Sequence, residues 1–474
     1  MPDRKEGSNM KTISEVISNP LFNFKGKGKI KFKNGQEFES DYSIQMLWNG
    51  QIVGELDIHS DDFKSIREFQ GEIPYFTLIG VVSSDNNRPI RAEDCYLTGS
   101  SSSSGVSGSW LNGRFQCREV ILDPDNIKKK PQNEMIIQFG VVNMEQTFSV
   151  IVDTIMGKIW VRHCEGIDNL VKLMRLYDMS LITSYPEIHF KPDDTQDLEA
   201  IMERAIELMR DFLKITSLSQ TCWHEWVCVH AYEKATLEAN EYEHLFLRLR
   251  APKTKSPRTR GVTNLAHSAT FLRTAWKGYS KELDEKYAFD LALEWYIESN
   301  SATVIELRFL MATTCFEMLM DRFHTQMGTE FVLNEKLFNK FYHDLRDFSS
   351  NWMKENTLPA DVRASIYRSL KGINRRQYVE KAQMLLDHWG ITHSDTGITL
   401  EDIVKIRNNI THRGRHDSGN DRESFDEIVN AYEGLFAILT RVFLSMLGYE
   451  GQYYDTTKGD WIDFASVCTR AKNR

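Results

Sequence analysis

Residues 423–447 read ESFDEIVNAYEGLFAILTRVFLSML. Phe425, Ile428, Val429, Tyr432, Leu435, Phe436, Leu439, Val442, Phe443 and Met446 recur at three- and four-residue steps, which places them on one broad stripe of a helix. Weaker versions of the same period predict helices at about 284–299, 302–325, 335–355, 360–372, 376–389 and 400–412. Connections this short favour antiparallel neighbours, so the last third of the chain is expected to be a helical bundle.

The helical period begins just past Pro192, where Leu198, Ile201, Met202, Ala205, Leu208, Met209 and Phe212 follow one another at helical spacing. Before it, from Gly26 to about Phe190, the chain reads as strands and tight turns. Lys29–Lys33, Glu37–Ser40, Tyr75–Val82, Glu134–Val142 and Lys158–Arg162 are the strand candidates. Asn-Gly at 34, 49 and 112 supplies the positive φ that two-residue hairpin turns need. The expected fold class is therefore α+β multidomain, an N-terminal antiparallel β-sandwich-like domain followed by an all-α region. The expected divisions are a flexible N-terminus over 1–20, a β-rich domain over 21–192, a mixed, mainly helical middle over 193–300 and a helical bundle over 301–474. Between Thr221 and Leu249 the aromatic and β-branched content leaves strand and helix both open. The run Gly99–Gly108 is too polar and glycine-rich to bury and is expected to be a mobile loop; it lacks the Lys-Ser or Lys-Thr of a phosphate loop.

A net charge of −9 over 474 residues argues against a protein that coats nucleic acid non-specifically, so any such site must be local. Met1 to Lys11 is polar and charged, unlike a secretory leader, and no run of about 18 apolar residues suggests a membrane span. The seven cysteines are odd in number and widely spread, which fits the reducing cytoplasm better than a disulfide framework, and no Cys or His set has zinc spacing. Lys253, Lys255, Arg258 and Arg260 form a basic loop, either solvated or in contact with phosphate.

The most concentrated basic segment lies elsewhere. Thr399-Leu-Glu-Asp402 opens a helix, with Thr399 as its cap and the acidic pair at the positive end of the dipole. Lys405, Arg407, His412, Arg413, Arg415 and His416 then follow with no acidic side chain among residues 405–416. Arginine and histidine together are what metal-free RNA cleavage requires. Imidazole can exchange a proton with the ribose 2′-hydroxyl or the 5′-oxygen, and a guanidinium can hold the phosphorane oxygens. Five residues turn an ideal helix through about 500°, leaving Arg407 and His412 about 140° apart. A site shared by two copies across a twofold axis would resolve that geometry, so a homodimer or higher even-numbered oligomer is expected. The same residue types also suit a helix C-terminus, with Gly414 as the stop signal.

Arg407-Asn408-Asn409-Ile410-Thr411-His412 resembles the Arg-Asn-x-x-x-His signature of HEPN domains, helical bundles in which the motif ends a helix. Phe309–Met320, with Glu317 inside an apolar stretch, looks like the first helix of such a domain. The β-rich part followed by this bundle resembles the ApeA-type anti-phage proteins. The resemblance implies an endoribonuclease active in abortive infection, cutting tRNA or other RNA, with no metal or cofactor. It assigns catalysis to Arg407, His412, Asn408 and Glu317, and the neighbouring Lys405, Arg413, Arg415 and His416 would contact RNA. The β domain would respond to a phage-derived trigger.

The alternative is a non-catalytic HEPN module that dimerises and binds RNA or nucleotide. The chain lacks the Gly-Ser pair with spaced aspartates of a nucleotidyltransferase and the Gly-x-Ser-x-Gly elbow of a serine hydrolase. Its carboxylates are too dispersed in sequence to suggest a metal-dependent nuclease.

Overall fold

The computed structural model describes residues 19–60, 75–83, 85–105, 108–145, 149–162, 170, 172, 174, 180–192, 195–236, 241–252, 261–263, 267–414, 416 and 421–472. Most of the expected flexible N-terminus lies outside them, as do Cys164, the basic residues Lys253, Lys255, Arg258 and Arg260, and Arg415. The chain divides into two compact units, Met1–Arg273 and Thr274–Arg474, so the division falls within the stretch 193–300.

The first unit is built on one antiparallel sheet. Its strands are β1 (Phe22–Phe32), β2 (Glu37–Met46), β3 (Ile52–Ser60), β4 (Tyr75–Val82), β5 (Arg88–Gly105), β6 (Gly108–Gln116), β7 (Glu119–Leu122), β8 (Met135–Val142), β9 (Val150–Thr154), β10 (Gly157–Val161), β11 (Ile182–Ser184), β12 (Glu187–Phe190), β13 (Glu225–Lys234) and β14 (Tyr242–Arg250). A single helix, α1 (Leu198–Gln220), separates β12 from β13. Strands β4, β1, β2, β3, β6 and β5 follow one another around a ring that the β4–β5 pairing closes, so this is a six-stranded barrel and not the expected sandwich. Glycines make the closure possible. A Cβ on Gly26 would meet the Val81 carbonyl oxygen at 1.8 Å, and one on Gly80 would meet the Lys27 carbonyl oxygen at 2.6 Å. Strands pressed this closely need residues without side chains at the contact. Ile30, Ile44, Leu56, Phe76, Leu78 and Phe115 are among the buried residues of its core.

Two of the Asn-Gly pairs turn hairpins: Gly35 and Gly50 have φ of +89° and +79° between β1, β2 and β3. The third, Asn112-Gly113, lies within β6, where Gly113 packs beneath Leu97 and Leu56. The serine run is likewise not a loop, because Ser100 to Gly105 pair in register with Gly113 to Gly108. The barrel continues through β5 into β7, β14, β13, β8, β12, β10 and β9. The segment left open between strand and helix is thus largely a strand pair, β13 and β14, carried into the centre of the sheet by buried Trp226, Val227 and Val229.

Helix α2 (Ser268–Gly278) spans the division. The second unit then contains α3 (Lys281–Tyr287), α4 (Phe289–Ser301), α5 (Ile305–Met327), α6 (Glu335–Glu355), α7 (Ala360–Gly372), α8 (Tyr378–Trp389), α9 (Leu400–Arg413) and α10 (Asp421–Met446). A hairpin of β15 (Gln452–Asp455) and β16 (Asp460–Asp463) follows, then a short helix α11 (Thr469–Lys472). The single helix expected over 284–299 is broken at Ala288, whose φ of 51° ends α3 and starts α4. Helix α5 is the centre of this unit and packs against α3, α4, α8, α9 and α10, while α6 and α7 pack on each other. Helix α10 carries the stripe that fixed its reading. Its most apolar 18-residue window has a mean hydropathy of 1.3 and is 83% buried within the protein, as befits a core helix.

Candidate functional site

The basic segment sits on α9, whose ends are built as its sequence dictates. Thr399 Oγ1 accepts from the Asp402 backbone amide at 3.1 Å and donates to the Asp402 carboxylate at 2.6 Å, a capping box. At the other end Gly414 takes a φ of +75°, and its amide donates to the Ile410 carbonyl at 2.8 Å. Leu400, Ile403, Ile406 and Ile410 face the core. The helix runs unbroken from Leu400 to Arg413, so the wide angle between Arg407 and His412 persists.

Arg407 points toward α5. One Nη lies 3.3 Å from Glu317 Oε1 and donates to Glu317 Oε2 at 3.4 Å, and the other donates to Asn408 Oδ1 at 3.1 Å. Both partners are half-buried, their side chains 40% and 30% exposed. Burial pushes the Glu317 carboxyl above the usual range, against the opposing pull of Arg407 and with a further push from Asp321. The contact brings together three residues singled out in the sequence, Arg407, Asn408 and Glu317, from two helices whose sequences are about ninety residues apart.

The remaining candidates are placed differently. His412, Lys405 and Arg413 are exposed on α9, and no hydrogen bond or ion pair engages them among the described residues. His416 turns inward: it is buried, its Nε2 lies 2.6 Å from Glu427 Oε2 on α10, and its Nδ1 lies 3.5 Å from Asn409 Nδ2. Expected as an RNA contact, His416 instead ties the segment after α9 to α10. One copy of the chain therefore holds the guanidinium against a carboxylate and leaves the imidazole in solvent.

Sequence reasoning missed Tyr378, the first residue of α8. Its hydroxyl is buried without a hydrogen-bond partner among the described residues, and its ring lies 6.4 Å from that of Phe316. Burial, Glu317 and Asp321 all push this phenol upward and Arg407 pulls it down, which places it in the field of the same pair. A tyrosine at a helix start carries no sequence signal for such a role.

Chemically, the arrangement offers a guanidinium able to grip a phosphate once it leaves Glu317, a carboxyl that burial helps to neutralise, and an exposed imidazole one and a half turns along. No curated protein and no solved structure matches the chain. Residues 283–465, from within α3 to just beyond β16, match the family model described as the YopA C-terminal domain.

Proposed function

We propose that the chain is a metal-independent HEPN-type endoribonuclease of the ApeA kind. The observation that carries the reading is the Arg407–Glu317 contact, which joins the Arg-Asn-x-x-x-His segment to the acidic residue of the central helix. In this reading Arg407 binds the scissile phosphate and holds charge as the phosphorane forms. His412 takes the proton from the 2′-hydroxyl or returns one to the departing 5′-oxygen. Asn408 and Glu317 set the guanidinium's direction, and Lys405, Arg413 and Arg415 hold flanking phosphates.

Because Arg407 turns inward and His412 outward, two copies complete one site, and the protein acts as a homodimer or larger even assembly. The product is a 2′,3′-cyclic phosphate, the substrate is tRNA or other cellular RNA, and the setting is the cytoplasm during abortive infection. A phage-derived trigger acts through the β-rich unit. These biological roles rest on the resemblance.

The test is incubation of the purified protein with total RNA in EDTA, followed by end-group analysis. Cyclic phosphate ends that disappear in Arg407→Ala and His412→Ala support the proposal. Strict metal dependence, or wild-type cleavage by either variant, overturns it. The second reading, a non-catalytic module that binds RNA or nucleotide, is favoured by the same ion pair, since a guanidinium held by its own chain is an ordinary structural contact. It expects RNA to bind without being cut.

A further inference from the structure

Helix α6 is the least covered long helix of the second unit, with Met353 as its one buried residue. Its outer face is nevertheless apolar: Leu337, Phe341, Phe348 and Trp352 are 54%, 44%, 68% and 49% exposed. At 100° per residue these four fall within about 60° of arc, a continuous stripe along the helix. Isolated exposed apolar residues need no explanation, but a stripe of three aromatic or large side chains and a leucine does. We propose that this stripe is the contact surface between two copies of this chain, laid antiparallel across a twofold axis.

The stripe is symmetric in the way such an axis demands. Leu337 and Trp352 lie equally far on either side of the Asp344–Leu345 peptide bond, and so do Phe341 and Phe348. An antiparallel pairing about that point sets Leu337 of one copy against Trp352 of the other and Phe341 against Phe348, each contact occurring twice, as an isologous interface requires. The charges agree. Lys336, Lys340, Arg346 and Lys354 balance Glu335, Asp344, Asp347 and Glu355, so the helix is formally neutral in a chain of −9. Along one edge of the stripe Lys340 and Asp347 sit on opposite sides of the midpoint, offset by about 3 Å along the axis from symmetric pairing, close enough for each to meet the other's partner across the interface. Asp347 already lies 3.3 Å from His343 on its own helix and remains on the surface.

The area is also of the right order. From their exposed fractions, and the 150–250 Å² an aromatic side chain can bury, the four residues offer about 400 Å² per copy. With a polar rim this reaches the lower end of specific interfaces, so the dimer is expected to dissociate on dilution. Asp344 lies at the axis and brings two carboxylates together there, the one unfavourable element of the pairing. The inference uses no residue of α9: a dimer that forms elsewhere overturns it and leaves the proposed RNA cleavage standing, whereas a chain that stays monomeric overturns both.

The test is sedimentation of the full chain over a range of concentrations. Wild type should pass from monomer to dimer, Phe348→Asp should raise the dissociation constant by at least about tenfold, and Asp344→Asn should lower it. Register is read by oxidative cross-linking. F341C/F348C should form a covalent dimer efficiently, and F341C alone should not. A chain that stays monomeric throughout, a dimer unaffected by Phe348→Asp, or equal cross-linking by the single variant overturns the proposal. Because none of these residues is buried in the core, circular dichroism should be unchanged in every variant.

Discussion

Arg441, in the middle of the core helix α10, should be the most costly single residue to replace in the second unit. Its side chain is fully buried, yet every polar atom has a partner: Asp395 through both carboxylate oxygens at 2.6 and 3.1 Å, Asp455 at 2.7 Å, the Tyr453 hydroxyl at 2.9 Å and the Thr392 carbonyl. Lys458 adds a second cation 2.8 Å from Asp395. Arg441→Met keeps the length and removes the charge, leaving the fully buried Asp455 carboxylate without its main partner. Breaking a buried pair in this way costs about 3–5 kcal/mol. For a unit of this size each kcal/mol lowers the midpoint by roughly 2–4 °C, so the second unit should melt about 6–20 °C earlier. Acid offers an independent check. Burial pushes Asp455 upward, but hydrogen bonds from Arg441, Thr457 and Tyr453 outweigh it and hold the carboxyl at about 2. A depressed folded-state value contributes stability above the unfolded value near 4 and loses it as pH falls through 2. At about 1.4 kcal/mol per unit the contribution is roughly 2–3 kcal/mol, all of it within that window. Wild type should therefore lose stability faster than R441M between pH 4 and 2. Thermal unfolding of the full chain at a series of pH values reads both effects, and D395N/R441M/D455N should recover part of the loss. If R441M costs less than about 1 kcal/mol near neutral pH, or the two acid profiles run parallel, the network does not hold this unit together.

Other substitutions separate the remaining claims. Glu317→Gln should be neutral or slightly stabilising at neutral pH despite losing an ion pair, because the raised folded-state value means that charge on Glu317 works against folding; the gain, read from urea midpoints, should vanish as pH falls below its unfolded value. His412→Ala, at an exposed position, should leave the midpoint within about 0.5 kcal/mol of wild type while abolishing RNA cleavage; a large loss of stability would assign His412 a structural role. Gly26→Ala forces a Cβ onto the Val81 carbonyl and against the Tyr42 hydroxyl that bonds it, and should cost about 1–3 kcal/mol in the first unit without touching the second, which two separable melting transitions would show.

What could be read from the sequence follows the range of the interactions involved. The helices of the second unit are set by local period and by caps, and both are written in neighbouring residues: the stripe of α10 is largely buried from Ile428 onward, with Phe425 left exposed, and Thr399 caps α9 as expected. Even there, the break at Ala288 was invisible, because an alanine gives no warning of a left-handed conformation. The barrel depends on which strands meet, and β4 finds β5 only through closure of the whole ring. Its one sequence trace is the set of strand glycines at 26, 28, 54 and 80, which read as turns or weak strands until their partners are known. Composition alone points to a loop at the serine run, whereas its backbone from Ser100 to Gly105 pairs with β6. In the candidate site, residue types pointed to Arg407 and the HEPN resemblance to Glu317, but the inward turn of His416 depends on Glu427 from the next helix.

Whether the Arg407–Glu317 contact marks a resting enzyme or a structural pair turns on how hard it is to part. An ion pair with both members partly exposed is worth about 0–1 kcal/mol, so little is lost when the guanidinium leaves the carboxylate for a phosphate that can meet it with two oxygens. Burial also pushes the Glu317 carboxyl upward, so loss of the guanidinium favours its neutral form. The Tyr378 hydroxyl, buried without a hydrogen-bond partner among the described residues, lies in the field of the same carboxylate. The contact thus fits a guanidinium held ready and released to substrate. It holds Arg407 at the edge of α5 with its side chain still 40% exposed. What the pair cannot do is bring His412 to the same phosphate, since the unbroken helix keeps the two residues on different faces. In the proposed reading, cleavage by this segment requires a second copy, whereas phosphate binding requires only one. The dependence of each on protein concentration is what separates the two readings.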